Sequence, residues 1–176
     1  MIMLTGATGT VGRTAADLPR EVGEEVVAIT RDPERAGLPP GVQVVKGDPS
    51  HPATPKEAMS EVKGILLSPR ATGRGIPKLL SLAAEHGVER VVLLSAATVA
   101  QPAGNPKFAA ECKAAEEAVA ASGLQWTVLR CADFNANSLA WAPQIRSTGV
   151  VRGAYADAAT SPIHERTSPR WPYRRV

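Results

Sequence analysis

The chain has 176 residues, of which 44% are hydrophobic and 21% are charged, a composition that predicts one globular domain and excludes a disordered chain. The formal charge of +3 resides in residues 167–176, which contain arginines and no acid. Residues 1–166 are therefore neutral, and we expect no nucleic-acid partner. The longest apolar stretch, residues 91–100, is interrupted by Ser95 and Thr98 and is too short to span a bilayer, so we expect no membrane partner.

The start of the chain and its cysteines predict the compartment. The first four residues, M-I-M-L, already have the pattern of a strand and follow no basic and apolar leader, so we expect no signal peptide. The two cysteines, Cys112 and Cys131, fit no metal-ligand spacing and cannot form a disulfide framework. We therefore expect a cytoplasmic protein that holds no metal.

Short apolar runs alternate with helical patterns along the first 130 residues. The apolar and β-branched runs predict six strands, at residues 1–5, 25–30, 42–45, 64–67, 91–94 and 124–129. Apolar spacing and capping residues predict helices at residues 11–18, 54–60, 76–85 and 107–121. This alternation predicts an α/β fold, a doubly wound parallel sheet with helices on both faces and the strand order 3-2-1-4-5-6.

A glycine-rich turn separates the first strand from the first helix. Gly6, Gly9 and Gly12 have the spacing G-x-x-G-x-x-G. The first would make the tight turn, the second would let a pyrophosphate approach the backbone, and the third would let the helix pack closely on the strand. The residues predicted to bind a dinucleotide in this turn are Gly6, Thr8, Gly9, Thr10, Val11 and Gly12. The alternative is a glycine-rich turn without a ligand.

Charged residues after the second and third predicted strands would complete such a site. Arg31 follows the second strand, and its guanidinium would match the 2′-phosphate of NADP(H), with Arg13 as a second cation. We therefore expect NADP(H) in preference to NAD(H), which remains an alternative. In a second interpretation Arg31 is a solvated charge and Asp32 caps the following turn. Asp48, after the third strand, would contact the adenine side or serve as a turn residue.

Several stretches together match one known family. They are T-G-A-T-G-T-V-G at 5–12, A-I-T-R-D-P at 28–33, K-G-D at 46–48, S-G-L-Q-W-T-V-L-R at 122–130 and S-P-I-H-E at 161–165. With these stretches the chain resembles the NmrA-like group of atypical short-chain dehydrogenases/reductases, which includes NADPH-dependent quinone-reductase-like members. The resemblance implies a Rossmann-like NAD(P)-binding domain over residues 1–166, with Leu67, Ser68 and Pro69 near the nicotinamide.

The catalytic residues of the resemblance are less clear. Standard short-chain dehydrogenases use a Tyr-x-x-x-Lys pair for proton transfer, but neither Tyr155 nor Tyr173 has a lysine four residues later. Related reductases place a histidine or lysine one helical turn before a glutamate. Here that glutamate matches Glu116, and the residue four before it is Cys112, with Lys113 adjacent. Cys112 is a candidate reactive thiol or, alternatively, a structural cysteine.

The resemblance also implies positions around the substrate. Ser95, at the tip of the fifth strand, would lie beside the reaction centre, and Phe134 and Asn137 would line the substrate pocket. We expect Trp126 and Trp141 to belong to the core rather than to clamp a substrate.

Residues 167–176 depart from the family pattern. Where the family continues S-P-I-H-E-R with D-I-A-x-V-A, this chain continues with T-S-P-R-W-P. If GC-rich codons are assumed for these residues, a shift of one nucleotide yields D-I-A-A-V-A. Our hypothesis is that residues 167–176 form an irregular basic tail read out of frame, and that the C-terminal substrate lobe is incomplete.

These observations leave three functional interpretations. The first is an NADPH-dependent reductase that transfers a hydride to a quinone-like, carbonyl or enone small molecule. The second is a non-catalytic NADP(H)-binding redox sensor, and the third is an inactive truncated chain. For each we expect a monomer or homodimer.

Overall fold

The computed structural model describes residues 1–17, 23–51, 56–101, 104–153 and 159–167. Six strands form one sheet, and each neighbouring pair is parallel. The strands are β1 (Ile2–Thr5), β2 (Val26–Thr30), β3 (Gln43–Lys46), β4 (Gly64–Leu67), β5 (Arg90–Ala96) and β6 (Gln125–Cys131). Their order is β3-β2-β1-β4-β5-β6, which confirms the predicted topology.

Helices connect these strands. The α-helices are α1 (Thr10–Asp17), α2 (Pro69–Thr72), α3 (Ile76–Glu85), α4 (Pro106–Ala120) and α5 (Ala142–Thr148). Short 3-10 segments span Lys56–Met59, Gly73–Gly75, Ala97–Val99 and Asn135–Trp141. The expected helix at residues 54–60 is replaced by the 3-10 turn at Lys56–Met59, and its predicted cap, Thr54, lies outside the described residues. None of the described helices combines the length and apolar content needed to cross a bilayer.

The strand register divides the apolar core between the two faces of the sheet. One face carries a row of adjacent residues, Met3, Val27, Ile65 and Val91, which pack with residues of α3 and α4. The other face carries the next row, Leu4, Ala28, Leu66 and Val92, which pack with Ala15 and Ala16 of α1. Because successive residues of a strand point to opposite faces, a sheet covered on both sides needs strands that are apolar throughout. The apolar runs that predicted the strands have this origin.

The expectation that Trp126 and Trp141 are core residues is wrong. Their relative exposures are 52% and 51%. Trp126 lies beside Val91 in the register, but β6 is at the edge of the sheet and only one neighbouring strand covers it within the described chain. Trp141 ends the exposed 3-10 segment that follows β6.

A segment near the end of the described chain returns to the sheet beyond β6. Phe134 and Ile163 form a parallel bridge, and the Glu165 carboxylate accepts a hydrogen bond from the N–H of Ala136 at 2.5 Å. The pKa of the Glu165 carboxyl is lowered chiefly by this bond. Arg166 reaches Asp17 of α1 at 3.5 Å. The family segment S-P-I-H-E therefore ties the chain after β6 to the domain, whereas the tail beyond residue 167 lies outside the described residues.

Candidate active site

The glycine turn lies at the carboxyl edge of β1, in the middle of the sheet. Gly6 has φ +70°, a conformation that a glycine adopts without a Cβ penalty. Its carbonyl accepts a hydrogen bond from the N–H of Gly9 at 3.0 Å, and the Gly9 carbonyl accepts one from the N–H of Arg13 at 2.9 Å. The turn therefore leads directly into α1, whose first N–H groups lack partners within the helix and favour an anion.

The space around each glycine fits the dinucleotide-binding role. A Cβ on Gly12 would lie 2.1 Å from the Gly6 carbonyl oxygen and 2.7 Å from Cα of Ala7, so α1 packs on the turn with no room for a side chain. A Cβ on Gly9 would lie 3.3 Å from the same oxygen and would otherwise meet open space. Gly12 therefore serves close packing, whereas Gly9 leaves the outer side of the turn free for a phosphate.

The end of β4 closes the other side of the turn. Thr5 links the two strands, since its hydroxyl donates to the Leu66 carbonyl at 3.3 Å and accepts from the N–H of Ser68 at 2.8 Å. A Cβ on Gly6 would lie 3.1 Å from Cβ of Ser68. Ser68 is half-buried and precedes Pro69 at the start of α2. The Leu67 side chain is fully buried in the core, which leaves only its main chain for a ligand.

The predicted cation sites differ in how they are held. Arg13 donates from Nε to the Thr8 carbonyl at 3.1 Å and from Nη1 to the Gly37 carbonyl at 2.8 Å, so its side chain braces the glycine turn. Arg31 is exposed after β2. Asp32 accepts a hydrogen bond from the N–H of Arg35 at 3.3 Å, which is the turn cap of the second interpretation.

Asp48 has the turn geometry that the sequence offered as one alternative. Its carboxylate accepts from the N–H and the hydroxyl of Ser50, at 2.9 and 2.6 Å, and lies 3.3 Å from Nδ1 of His51. The hydrogen bonds from Ser50 are the main reason that the pKa of the Asp48 carboxyl is lowered. Asp48 is therefore engaged with its own turn, at the carboxyl edge next to β2.

A polar network spans β5, β6 and α4 at the same edge of the sheet. Ser95 and Arg130 are register partners in β5 and β6. The buried Ser95 hydroxyl donates to Oε1 of Glu116 at 2.5 Å. Arg130 donates to both carboxylate oxygens, from Nε at 3.0 Å and from Nη2 at 2.6 Å. Hydrogen bonds from Arg130 first, and then from Ser95, hold the pKa of the Glu116 carboxyl below its usual range, so Glu116 is an anion at neutral pH.

Sequence reasoning named Ser95 but assigned no role to Arg130. Arg130 is the last residue of the S-G-L-Q-W-T-V-L-R stretch. Glu116 lies on α4 beside the buried positions Cys112, Ala115 and Val119. A carboxylate beside the buried face of a helix requires a hydrogen-bond or ion-pair partner. This requirement could have led from the sequence to a partner for Glu116 such as Arg130.

The two other catalytic candidates lie on different sides of α4. Cys112 is buried, and burial first, with Glu116 and Glu111 adding to it, raises the pKa of its thiol. A thiol with a raised pKa is a weak nucleophile, which favours the structural interpretation of this residue. Lys113 is exposed and lies 4.0 Å from Glu117. The structure therefore brings Glu116, rather than Lys113, to Ser95.

The two predicted substrate residues follow β6. Phe134 is half-buried and bridges to Ile163. Asn137 is exposed, and its amide donates to the Asp133 carboxylate at 2.5 Å. Both residues lie in the segment that directly follows β6, one of the strands that carry the Ser95 network.

Comparison with known proteins identifies the family to which the chain belongs. A family model described as NAD(P)H-binding matches residues 6–152, which include the glycine turn and the Ser95 network. The chain therefore belongs to this NAD(P)H-binding family.

The chain is also similar to individual proteins that are named as a reductase and a quinone oxidoreductase. The chain is 36% identical over 168 residues to (4-alkanoyl-5-oxo-2,5-dihydrofuran-3-yl)methyl phosphate reductase of Streptomyces griseus, covering 94% of this chain and 59% of that protein. It is 33% identical to quinone oxidoreductase 2 of Escherichia coli, covering 89% and 57%. The crystal structure of NADPH-dependent quinone oxidoreductase QOR2 from E. coli, complexed with NADPH, superposes with a TM-score of 0.81 at 27% identity, covering 99% of this chain and 64% of that one. The chain thus spans less than two thirds of the length of these relatives.

Proposed function

We propose that this protein is an NADPH-dependent reductase that transfers a hydride to a quinone-like, carbonyl or enone small molecule. We expect its activity to resemble that of the NmrA-like reductases. The observation that carries the proposal is the placement of two features on one edge of the sheet. The glycine turn contacts Ser68 after β4, and the Ser95 network ends the next strand, β5. In doubly wound sheets ligands bind outside the carboxyl ends of the strands, where the strand order reverses.

The residues of the turn would hold the dinucleotide. Gly9 and the first N–H groups of α1 would bind the pyrophosphate, and Arg31, exposed after β2, would bind the 2′-phosphate that distinguishes NADP(H) from NAD(H). Ser68 and Pro69, which continue from β4, would border the nicotinamide. When bound, NADPH supplies the hydride, and reduction of a carbonyl or quinone consumes that hydride and one proton from water.

Ser95 would act through its lone pairs. Its proton already bonds to the ionised Glu116 at 2.5 Å, so the same proton is not available to a developing oxyanion. The Ser95 oxygen would instead accept a hydrogen bond from a water molecule whose second hydrogen bonds to the substrate oxygen. Arg130 would keep Glu116 ionised and fixed, which makes both of them positioning residues.

The names of the relatives support this class of substrate. One relative is named as the reductase of an alkanoyl-substituted oxo-dihydrofuran phosphate, and another as a quinone oxidoreductase. The structural relative was crystallised with NADPH. We therefore propose NADPH as the reductant here and a conjugated carbonyl or quinone as the acceptor.

Anaerobic oxidation of NADPH by the purified chain with 1,4-naphthoquinone tests the proposal. We expect turnover that is faster with NADPH than with NADH. Glu116→Gln should lower kcat, and Glu117→Gln, a matched change at the exposed neighbouring position, should not. NADPH binding without turnover of any quinone or enone would instead support the non-catalytic sensor, and a folded chain that binds no NADPH would refute both.

A further inference from the structure

We propose that Arg70 binds an anionic group on the substrate, so that the preferred substrates are carbonyl or quinone compounds carrying a phosphate, sulfonate or carboxylate. This inference rests on the proposed reductase function and narrows its substrate class. The observation behind it is an arginine two residues after Ser68, on α2, that contacts an aromatic ring and has no carboxylate partner in the described chain.

Arg70 lies where a substrate would approach. It follows Ser68 and Pro69 on α2, directly after the carboxyl end of β4. Its side chain is exposed, and its guanidinium carbon lies 5.9 Å from the centre of the Phe108 ring on α4. The guanidinium therefore links α2, which follows the carboxyl end of β4, to Phe108 on α4.

The charge of Arg70 also acts on Cys112, a buried residue of α4. Burial is the main cause of the raised pKa of the Cys112 thiol, but the positive charge of Arg70 opposes that rise. Cys112 also lies within electrostatic reach of Glu116, whose carboxylate bonds to Ser95. The charge of Arg70 thus acts on a thiol that lies one helical turn before Glu116 on α4.

Arg130 and Arg70 differ in their available charge. The charge of Arg130 is compensated by its two hydrogen bonds to Glu116. Arg70 takes part in none of the ion pairs found among the described residues. It contacts the Phe108 ring, which attracts the guanidinium without neutralising its charge.

An exposed guanidinium that has no ion-pair partner in the described chain is suited to oxyanions. It presents a planar fork of N–H donors that can bind phosphate, sulfonate or carboxylate oxygens bidentately. The dinucleotide phosphates would be bound by the glycine turn and α1. An anion at Arg70 therefore belongs to the second ligand of the site.

Two quinones and two naphthalene ligands test this inference. Steady-state kinetics compare 1,2-naphthoquinone with 1,2-naphthoquinone-4-sulfonate in the wild type, Arg70→Gln and Arg90→Gln. Arg90 lies at the opposite, amino edge of β5, so Arg90→Gln removes the same charge at a distance. Binding of 2-naphthyl phosphate and of 2-naphthol to the chain in the presence of NADP+ is measured by calorimetry, which requires no turnover.

We expect Arg70→Gln to reduce kcat/KM for the sulfonate about tenfold more than for the neutral quinone. The same change should weaken the binding of 2-naphthyl phosphate about tenfold more than the binding of 2-naphthol. Arg90→Gln should leave both ratios unchanged. Unchanged ratios in Arg70→Gln would overturn the proposal, and so would an equal loss of NADPH affinity, because Arg70 would then bind the cofactor. If the wild type reduces neither of these quinones, the calorimetric ratio alone decides whether Arg70 binds anions, and the reductase function is tested separately with the other quinones and enones.

Discussion

Substitution of Gly12 by alanine should separate the packing role of the glycine turn from its binding role. The added Cβ would lie 2.1 Å from the Gly6 carbonyl oxygen and 2.7 Å from Cα of Ala7, both of which are backbone atoms. Helix α1 must therefore move by roughly 1 Å, which strains its packing of Ala15 and Ala16 on the sheet. Overpacking of this kind lowers the free energy of unfolding by about 1–3 kcal/mol. In a chain of this size, each kcal/mol lost lowers Tm by about 2–4 °C.

Gly9→Ala is the matched control for this experiment. Its Cβ would lie 3.3 Å from the Gly6 carbonyl oxygen and would meet no other atom within 4 Å. We expect a change in unfolding free energy within about 0.5 kcal/mol. NADPH binding should nevertheless weaken at least about tenfold, since the methyl group occupies the surface that the pyrophosphate would approach.

Thermal unfolding and calorimetric NADPH titration of both variants provide the assay. The reasoning predicts a large loss of stability for Gly12→Ala and a selective loss of NADPH affinity for Gly9→Ala. Wild-type stability in Gly12→Ala would show that α1 does not pack on the turn as described. Wild-type affinity in Gly9→Ala would show that the outer side of the turn is not the phosphate site.

Three further predictions concern the charged groups. Glu116→Gln should destabilise the chain by about 1 kcal/mol, because the buried Ser95 hydroxyl would then donate to a neutral amide oxygen in place of a carboxylate; an unchanged Tm would contradict this. The carboxyls of Asp133 and Glu165 have lowered pKa values, chiefly through bonds from Asn137 and Ala136. They should therefore stabilise the fold above about pH 4 and cease to do so as the pH falls through their folded-state pKa values. Asp133→Asn should flatten the dependence of Tm on pH between about 5 and 2, and a dependence parallel to that of the wild type would count against it. Finally, Arg31→Glu should weaken NADPH at least about tenfold and NADH little, measured by calorimetry; equal losses would exclude a 2′-phosphate contact.

The strand order was predictable because the four inner strands, β1, β2, β4 and β5, are covered on both faces. The rows through Met3 and Leu4 run from β2 to β5. Apart from Arg90 at the start of β5, the residues of these strands are apolar or small, and the apolar runs reveal both the strands and the parallel sheet. The close-packing role of Gly12 was also predictable, because Gly6, on which it packs, is only a few residues away in the sequence.

Other features depended on contacts that are distant in sequence. The Glu116 carboxylate meets Ser95 and Arg130 across separations of 21 and 14 residues, and only the packing of α4 on β5 and β6 brings the three together. Trp126 reads as a core residue because it stands in an apolar strand. Its exposure follows from the place of β6 at the edge of the sheet, which the residues of the strand alone do not encode.

Calorimetric titration of the folded chain with NADPH and with NADH tests the central claim most directly, because both the turn and Arg31 contribute to it. We predict NADPH binding with a Kd on the order of micromolar, and NADH binding at least about tenfold weaker. A folded chain that binds neither nucleotide would contradict the dinucleotide site, and equal affinity for the two would contradict the assignment of Arg31.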